Sequence, residues 1–244
     1  MLPYFSLGPL TVFTYPLIIG FLWAGSYFLS QELLRSKKEI VNKFNIYFLS
    51  VFCSAWVGAK ILFLAPLDQD LIIRAVNSSN FWLGGGFVFY GGLIFGLCST
   101  FIFSKLTKQP ISKFSFSIPV LAFAHAFGRI GCFLAGCCYG SKTDFLISLS
   151  MHGHTRHPVQ LYEAIGLFIL ALILIKLYLK NKPILGLYFV SYSVLRFSLE
   201  FLRGDEIRGL FFGLSTSQII SLFIITIYIF FEYFSKKRAP VGYS

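Results

Sequence analysis

Three basic side chains lie where hydrocarbon would surround them. Lys60, Arg129 and Arg196 each fall inside a long apolar run, with His125 and Glu200 near them in sequence. An ionised group at the centre of a bilayer costs at least about 2.5–3.5 kcal/mol, so such residues face a cavity, a partner or a substrate. Tyr192, Arg196, Glu200 and Arg203 recur at i, i+4, i+8 and i+11, which places all four on one helical stripe. One reading is an Arg–Glu pair that neutralises itself. The other is that two Arg around one Glu leave a surplus of positive charge and invite an anion. A phosphate fits, because guanidinium offers it a planar, bidentate donor fork.

A second group of candidates lies upstream. Arg129 is flanked by Gly128 and Gly131, which permit close backbone approach by a helix or a ligand. His125, one turn earlier, is either a packing histidine or a functional one. The stretch Ala135-Gly136-Cys137-Cys138-Tyr139-Gly140 follows, and then Arg156-His157-Pro158-Val159-Gln160-Leu161-Tyr162-Glu163. Pro158 suits the first turn of a helix. His157, Gln160 and Glu163 recur every third residue and either line one face or, for the last two, cap the helix. Among the five cysteines, Cys53 and Cys98 read as small apolar residues. Cys132, Cys137 and Cys138, with His152, His154 and His157 in the next loop, have the makings of a disulfide, a redox site or a zinc or copper site. The C-x4-C-C spacing is not a strong metal signature, and plain packing is the competing reading.

The elements that must position these residues are membrane spans. The chain has 244 residues, 56 % hydrophobic and 19 % aromatic, with only 13 % charged. A soluble domain of this size could not hide so much apolar side chain. Seven apolar runs are predicted as helices: Leu10–Leu29, Ile46–Leu67, Phe81–Phe103 with its Gly84-Gly85-Gly86 break, Phe116–Leu134, Leu161–Leu179, Ile184–Leu202 and Phe211–Phe234. Each is long enough for a hydrocarbon layer of roughly 30 Å. The basic residues alternate between the loops. Arg35, Lys37, Lys38, Lys43, Lys105, Lys108, Lys113, Lys176, Lys180, Lys182, Lys236, Lys237 and Arg238 fall on one side, and Arg74, Lys142, Arg156, Arg203 and Arg208 on the other. The positive-inside rule makes the first side cytoplasmic, with the N-terminus outside and the C-terminus inside. The net charge of +11 is therefore a topology signal rather than a nucleic-acid footprint. The absence of Lys or Arg before Arg35 predicts a retained first helix rather than a cleaved signal, with no soluble domain at either end. The expectation is an all-α, multi-pass membrane protein with a single domain over 1–244. Its polar residues converge on a cationic cavity that opens toward the outer leaflet.

Taken in order, these residues resemble the prolipoprotein diacylglyceryl transferase family. The family signature G-R-x-G-N-F-x-N-x-E-x-x-G aligns with Gly128 through Gly140, and R-H-P-S-Q-L-Y-E with Arg156 through Glu163, Val159 being the only change. The helix Y-x-x-x-R-x-x-x-E-x-x-R is similar to Tyr192, Arg196, Glu200 and Arg203. S-x-G-Q-x-x-S resembles Ser215 through Ser221, and F-H-G-G-L resembles Phe89-Tyr90-Gly91-Gly92-Leu93. Tyr15 stands where the family has an early aromatic pair. The resemblance implies transfer of an sn-1,2-diacylglyceryl group from phosphatidylglycerol, or another anionic phospholipid, to the cysteine thiol of a prolipoprotein signal peptide. Glycerol 1-phosphate is released, in the bacterial cytoplasmic (inner) membrane, with no metal, no cofactor and no nucleic acid. It implies catalytic roles for Arg129, Arg196, Glu200 and His157. Substrate contacts are implied for Tyr15, Lys60, Tyr90, Gly91, Gly92, Gly128, Cys132, Gly140, Gln160, Glu163, Tyr192 and Arg203. His125, His157, Glu163 and Tyr90 are the candidates for general base.

The departures are specific. The histidine of F-H-G-G-L is Tyr90, the signature's two Asn are Cys132 and Ala135, its Glu is Cys137, and Lys60 stands where the family tends to have Arg. Two other classes compete: a membrane thiol redox or metal-binding protein built on Cys132, Cys137 and Cys138, and a transporter or lipid-binding protein that breaks no bond. The second is disfavoured because no inverted repeat or pair of broken helices is evident.

Overall fold

The computed structural model describes residues 4–7, 10–83, 85–204, 210–211 and 213–238; Gly84 and Arg208, named above, lie outside them. Helices dominate, and among the described residues the strands are confined to three short antiparallel hairpins. Among the described residues, five helical segments are long and apolar enough to cross a membrane: Thr14–Ser36, Phe44–Leu64, Phe89–Leu106, Ile111–Ala135 and Val159–Leu179. Large apolar side chains face outward along them, Phe21 at 71 % and Phe28 at 68 % exposure, while Ser30, Lys60, Gln160, Glu163, Arg196 and Glu200 are buried. That inversion of the soluble pattern is what a lipid solvent requires. The chain is a polytopic membrane protein.

It divides into two compact units, residues 2–124 and 125–244. The first opens with the hairpin β1 (Tyr4–Leu7) and β2 (Leu10–Phe13), which runs into α1 (Thr14–Ser36). The first predicted run is thus displaced: its opening residues form a strand, and the helix continues through Ser30, Gln31 and Glu32. Helix α2 (Phe44–Leu64) follows, then two short helices, α3 (Gln69–Val76) and α4 (Ser79–Leu83). The sequence pattern did not predict α3, although Asp68 marks its start by accepting a hydrogen bond from the Leu71 N–H at 2.9 Å. Helix α5 (Phe89–Leu106) begins after the glycine break, so the third predicted run is two helices rather than one. Gly58 of α2 meets Gly91 of α5 backbone to backbone, and a Cβ on either would overlap the other's carbonyl. Tyr47 joins the unit's helices from within, its hydroxyl meeting Thr100 at 3.2 Å and Ser117 at 2.9 Å.

Helix α6 (Ser117–Ala135) carries the division between the units within it. The second unit continues with the hairpin β3 (Leu149–Met151) and β4 (His154–Arg156), then α7 (Val159–Leu179) and α8 (Leu185–Glu200). The hairpin β5 (Leu210–Phe211) and β6 (Leu214–Ser215) leads into α9 (Thr216–Arg238). Helix α8 has 16 residues and ends at Glu200. Arg203 therefore lies beyond the helix, not on the continuous stripe that its spacing suggested.

Candidate active site

Within the second unit, α6, α7 and α8 each contribute charge to one buried network. Arg129 of α6 places Nε 3.0 Å from Glu163 Oε1 of α7. The N–H is not aligned with that oxygen, so the contact is an ion pair rather than a hydrogen bond. Tyr192 of α8 donates its hydroxyl to the same oxygen at 3.1 Å. The other carboxylate oxygen of Glu163 lies 4.0 Å from Arg196, which itself meets Glu200 at 2.6 Å and donates to Ser217 of α9 at 3.0 Å. The His125 ring stands edge-on to Tyr192, centroids 4.7 Å apart. Two guanidinium groups and two carboxylates thus balance, in place of the cationic surplus expected from Arg196, Glu200 and Arg203 alone. Glu163 is the hub, not a helix cap, since α7 is preceded by Pro158 at its N-cap.

The two arginines are not equivalent. The Arg196 side chain is 7 % exposed and is engaged by Glu163, Glu200 and Ser217. The Arg129 side chain is 15 % exposed and is paired with Glu163 through Nε. A Cβ on the neighbouring Gly128 would meet open space, so no packed helix explains that glycine. An apolar groove of about 310 Å³ runs between α6 and α7, lined by Ala126, Phe127, Ile130, Leu161, Ala164 and Ile165 among others.

The loops that flank these helices are stitched together around Gly140. Its N–H donates to the His157 carbonyl at 3.0 Å, Ser141 N–H to Leu202 O at 2.8 Å, and Gly204 N–H to Tyr139 O at 3.1 Å. A Cβ on Gly140 would overlap the His157 backbone, so the glycine is required by this close approach. Arg203 pairs with Gly140 in an isolated bridge, and Arg156 donates to the Gly140 carbonyl at 3.2 Å while stacking over Tyr139. Gln160 donates to the Cys137 carbonyl at 2.6 Å. His157 precedes α7, its Nδ1 3.5 Å from the Tyr162 hydroxyl. Among the described residues it makes no hydrogen bond to the Arg–Glu network.

Cys132, Cys137 and Cys138 are free thiols whose sulfurs lie within 4.8 Å of one another. Hydrogen bonds from Cys132 and Cys137, helped by Arg129 and Arg203, hold the Cys138 thiol well below the usual thiol range. Interaction with Cys132 and Cys138, together with burial, pushes Cys137 up.

The remaining sequence candidates belong to the first unit. Lys60, buried in α2, donates to the carbonyls of Phe81 and of Gly85, the latter at 2.5 Å, and lies over the Phe81 and Phe87 rings. It ties the glycine-rich turn to α2. Tyr15 stands near Phe87, with ring centroids 6.3 Å apart. Tyr90 is exposed at the start of α5, Gly91 is occupied by the contact with Gly58, and Gly92 faces the Ala55 carbonyl. Sequence reasoning did not assign Ser217 as a partner of Arg196, although it lies inside the quoted Ser215–Ser221 stretch.

Comparison with known proteins bears on this arrangement directly. The sequence model of prolipoprotein diacylglyceryl transferases matches residues 3–234. A phosphatidylglycerol–prolipoprotein diacylglyceryl transferase from Clostridium tetani is 37 % identical over 209 residues, covering 80 % of this chain and 83 % of that one. Another, from Clostridium perfringens, is 36 % identical over 235 residues and covers 88 % of each chain. One from Proteus mirabilis is 28 % identical and covers 96 % of this chain and 91 % of its own. With the match running through all three arginine-bearing motifs, this chain belongs to the prolipoprotein diacylglyceryl transferase family.

Proposed function

We propose that this protein transfers the diacylglyceryl group of phosphatidylglycerol to the thiol of a prolipoprotein cysteine, forming a thioether and releasing glycerol 1-phosphate. The observation that carries the assignment of the site is Arg129. It is a partly exposed guanidinium paired with Glu163 through one nitrogen, next in sequence to a glycine that faces open space, on a helix that also lines an apolar groove. The groove suits an acyl chain, and the guanidinium suits the phosphate diester at the head of that chain. As the C–O bond to phosphate breaks, charge grows on the departing oxygen, and a preorganised donor in a poorly solvated site stabilises it. Arg196 holds Glu163 and Glu200 in place and acts on the donor through them. Tyr192 fixes Glu163, and Gln160 and Gly140 hold the loop that carries the cysteines. Arg203 and His157 stand on that loop layer, where the acceptor peptide would arrive. In the first unit, Tyr15 and Tyr90 supply aromatic surface to substrate, while Lys60, Gly91 and Gly92 act by holding the backbone.

The finer topology belongs to the same proposal: one domain over 1–244 crossing the cytoplasmic membrane seven times, with α8 and α9 as the last two spans, the N-terminus outside and the C-terminus inside. Its support is the sorting of basic residues between alternate loops.

The test is direct. Purified protein is given phosphatidylglycerol and a lipobox peptide, and glycerol phosphate release is followed. Arg129→Ala is expected to lose about 100-fold or more in kcat, the scale of removing one preorganised donor. Unchanged turnover in that variant refutes the assignment.

A further inference from the structure

The thiol triangle of Cys132, Cys137 and Cys138 is not used by the phosphate chemistry just described. All three sulfurs lie within 4.8 Å of one another, and the Cys137 thiol reaches the Cys132 carbonyl at 3.5 Å. The backbone is shaped to bring them together. After the end of α6, Gly136 and Cys138 both take positive φ, 79° and 60°, a costly conformation for a residue with a side chain. The chain folds back so that the Cys137 N–H donates to the Cys132 carbonyl at 3.1 Å. Two further hydrogen bonds fix the turn: Gln160 to the Cys137 carbonyl at 2.6 Å and His152 to the Gly136 carbonyl at 2.7 Å.

Three thiolates bound to one zinc ion at about 2.3 Å would stand roughly 3.8 Å apart, so the triangle needs to close by at most about 1 Å. Cys137 is exposed and the other two are partly so, which leaves one side of the triangle open. Three protein ligands with an open fourth position is the pattern of a reactive zinc site rather than a structural one. Thiolates select soft cations over magnesium or calcium. Three of them around a divalent ion leave one net negative charge, and Arg129 and Arg203 both act electrostatically on Cys138 to offset it.

We infer that Cys132, Cys137 and Cys138 hold one divalent zinc-like cation, and that its open position takes the acceptor thiol of the transferase reaction. The role given to the acceptor rests on the transferase reading, whereas the metal site does not. On coordination the acceptor S–H gives its proton to water and becomes a metal-held thiolate. Its electron pair forms the S–C bond to the glyceryl carbon as the C–O bond to phosphate breaks. The electrons of that bond leave on the phosphate oxygen held by Arg129. Nothing is oxidised or reduced.

The experiment uses the full chain, purified in detergent under reducing conditions, with zinc content measured and the chelator-stripped protein titrated with cobalt(II). About one zinc per chain is expected, with a cobalt spectrum that shows thiolate-to-metal charge transfer and saturates at one equivalent. Cys137→Ser and Cys138→Ser should each weaken cobalt binding by about 100-fold or more, and Cys53→Ser should leave it unchanged. Turnover with phosphatidylglycerol and lipobox peptide should fall on stripping and return with zinc. Absence of stoichiometric metal in the wild-type chain, or a disulfide within the triangle in non-reduced membranes, overturns the site. A bound metal with chelator-indifferent turnover overturns its delivery of the thiol. No glycerol phosphate release in any metal state sinks the transferase reading, while the cobalt spectrum still judges the site.

Discussion

Arg129 and Arg196 have the same side chain but different donors left to give. Arg196 spends its guanidinium on Glu163, Glu200 and Ser217, while Arg129 is paired with Glu163 through Nε. Arg129→Lys should therefore recover only part of the rate that Arg129→Ala loses, because an ammonium keeps the charge but not the fork; the comparison of kcat values checks it. Glu163→Gln takes the negative charge from between two guanidinium groups at a site 2 % exposed. Leaving buried cations uncompensated is expected to cost about 3 kcal/mol, read as a fall in thermal unfolding temperature in detergent. The arginines and Glu200 were legible in the sequence because a charge inside an apolar run is conspicuous. The central place of Glu163 was not. Its neighbours in sequence suggest a helix cap, and its partners lie on α6 and α8, which no local spacing reveals.

Three of the long helices end in the same way. Beyond α1, α5 and α7, the residues Lys38, Lys108 and Asn181 adopt positive φ, and the next N–H returns to the carbonyl five residues earlier: Glu39 to Leu34, Gln109 to Ser104 and Lys182 to Leu177. This closes orphan carbonyls with a Schellman turn, and the surrounding lysines sit where the helix dipole favours cations. At two of the three ends, Lys38 and Lys108, a charge of the basic loops is thus also the residue that terminates the helix. Apolar length located the helices well, but not their interruptions. Residues 81–103 split because Gly86 adopts a φ of 70° against the Phe81 ring, and hydropathy does not see a backbone angle. Amphipathic α3 was missed because it is too short to register as a span. At this scale the sharpest prediction is Gly91→Val. Its side chain would collide with the Gly58 backbone, so α2 and α5 must part. The yield of folded protein should collapse on size-exclusion chromatography, whereas Gly128→Ala should leave it intact.

The whole molecule presents apolar side chains outward and gathers its polar ones within each unit, which fits a lipid solvent. Five segments meet the length and apolarity of a span on their own. Helix α8 is shorter, and it carries Arg196 and Glu200, so composition ranks it below the others although its charges are paired. Reporter fusions after Lys43, Lys113 and Lys182 should behave as cytoplasmic, and fusions after Arg74 and Lys142 as external. A reversed pattern at any pair of these sites would break the seven-span arrangement.

On the proposed assignment, Glu163 and the donor's phosphate share one guanidinium, that of Arg129. An arriving headgroup would loosen that pairing, and the carboxylate has Arg196 and the Tyr192 hydroxyl already beside it. A resident competitor of this kind caps how firmly any phosphate is gripped. On that assignment it would weaken the hold on the liberated phosphomonoester and favour the return of the resting state.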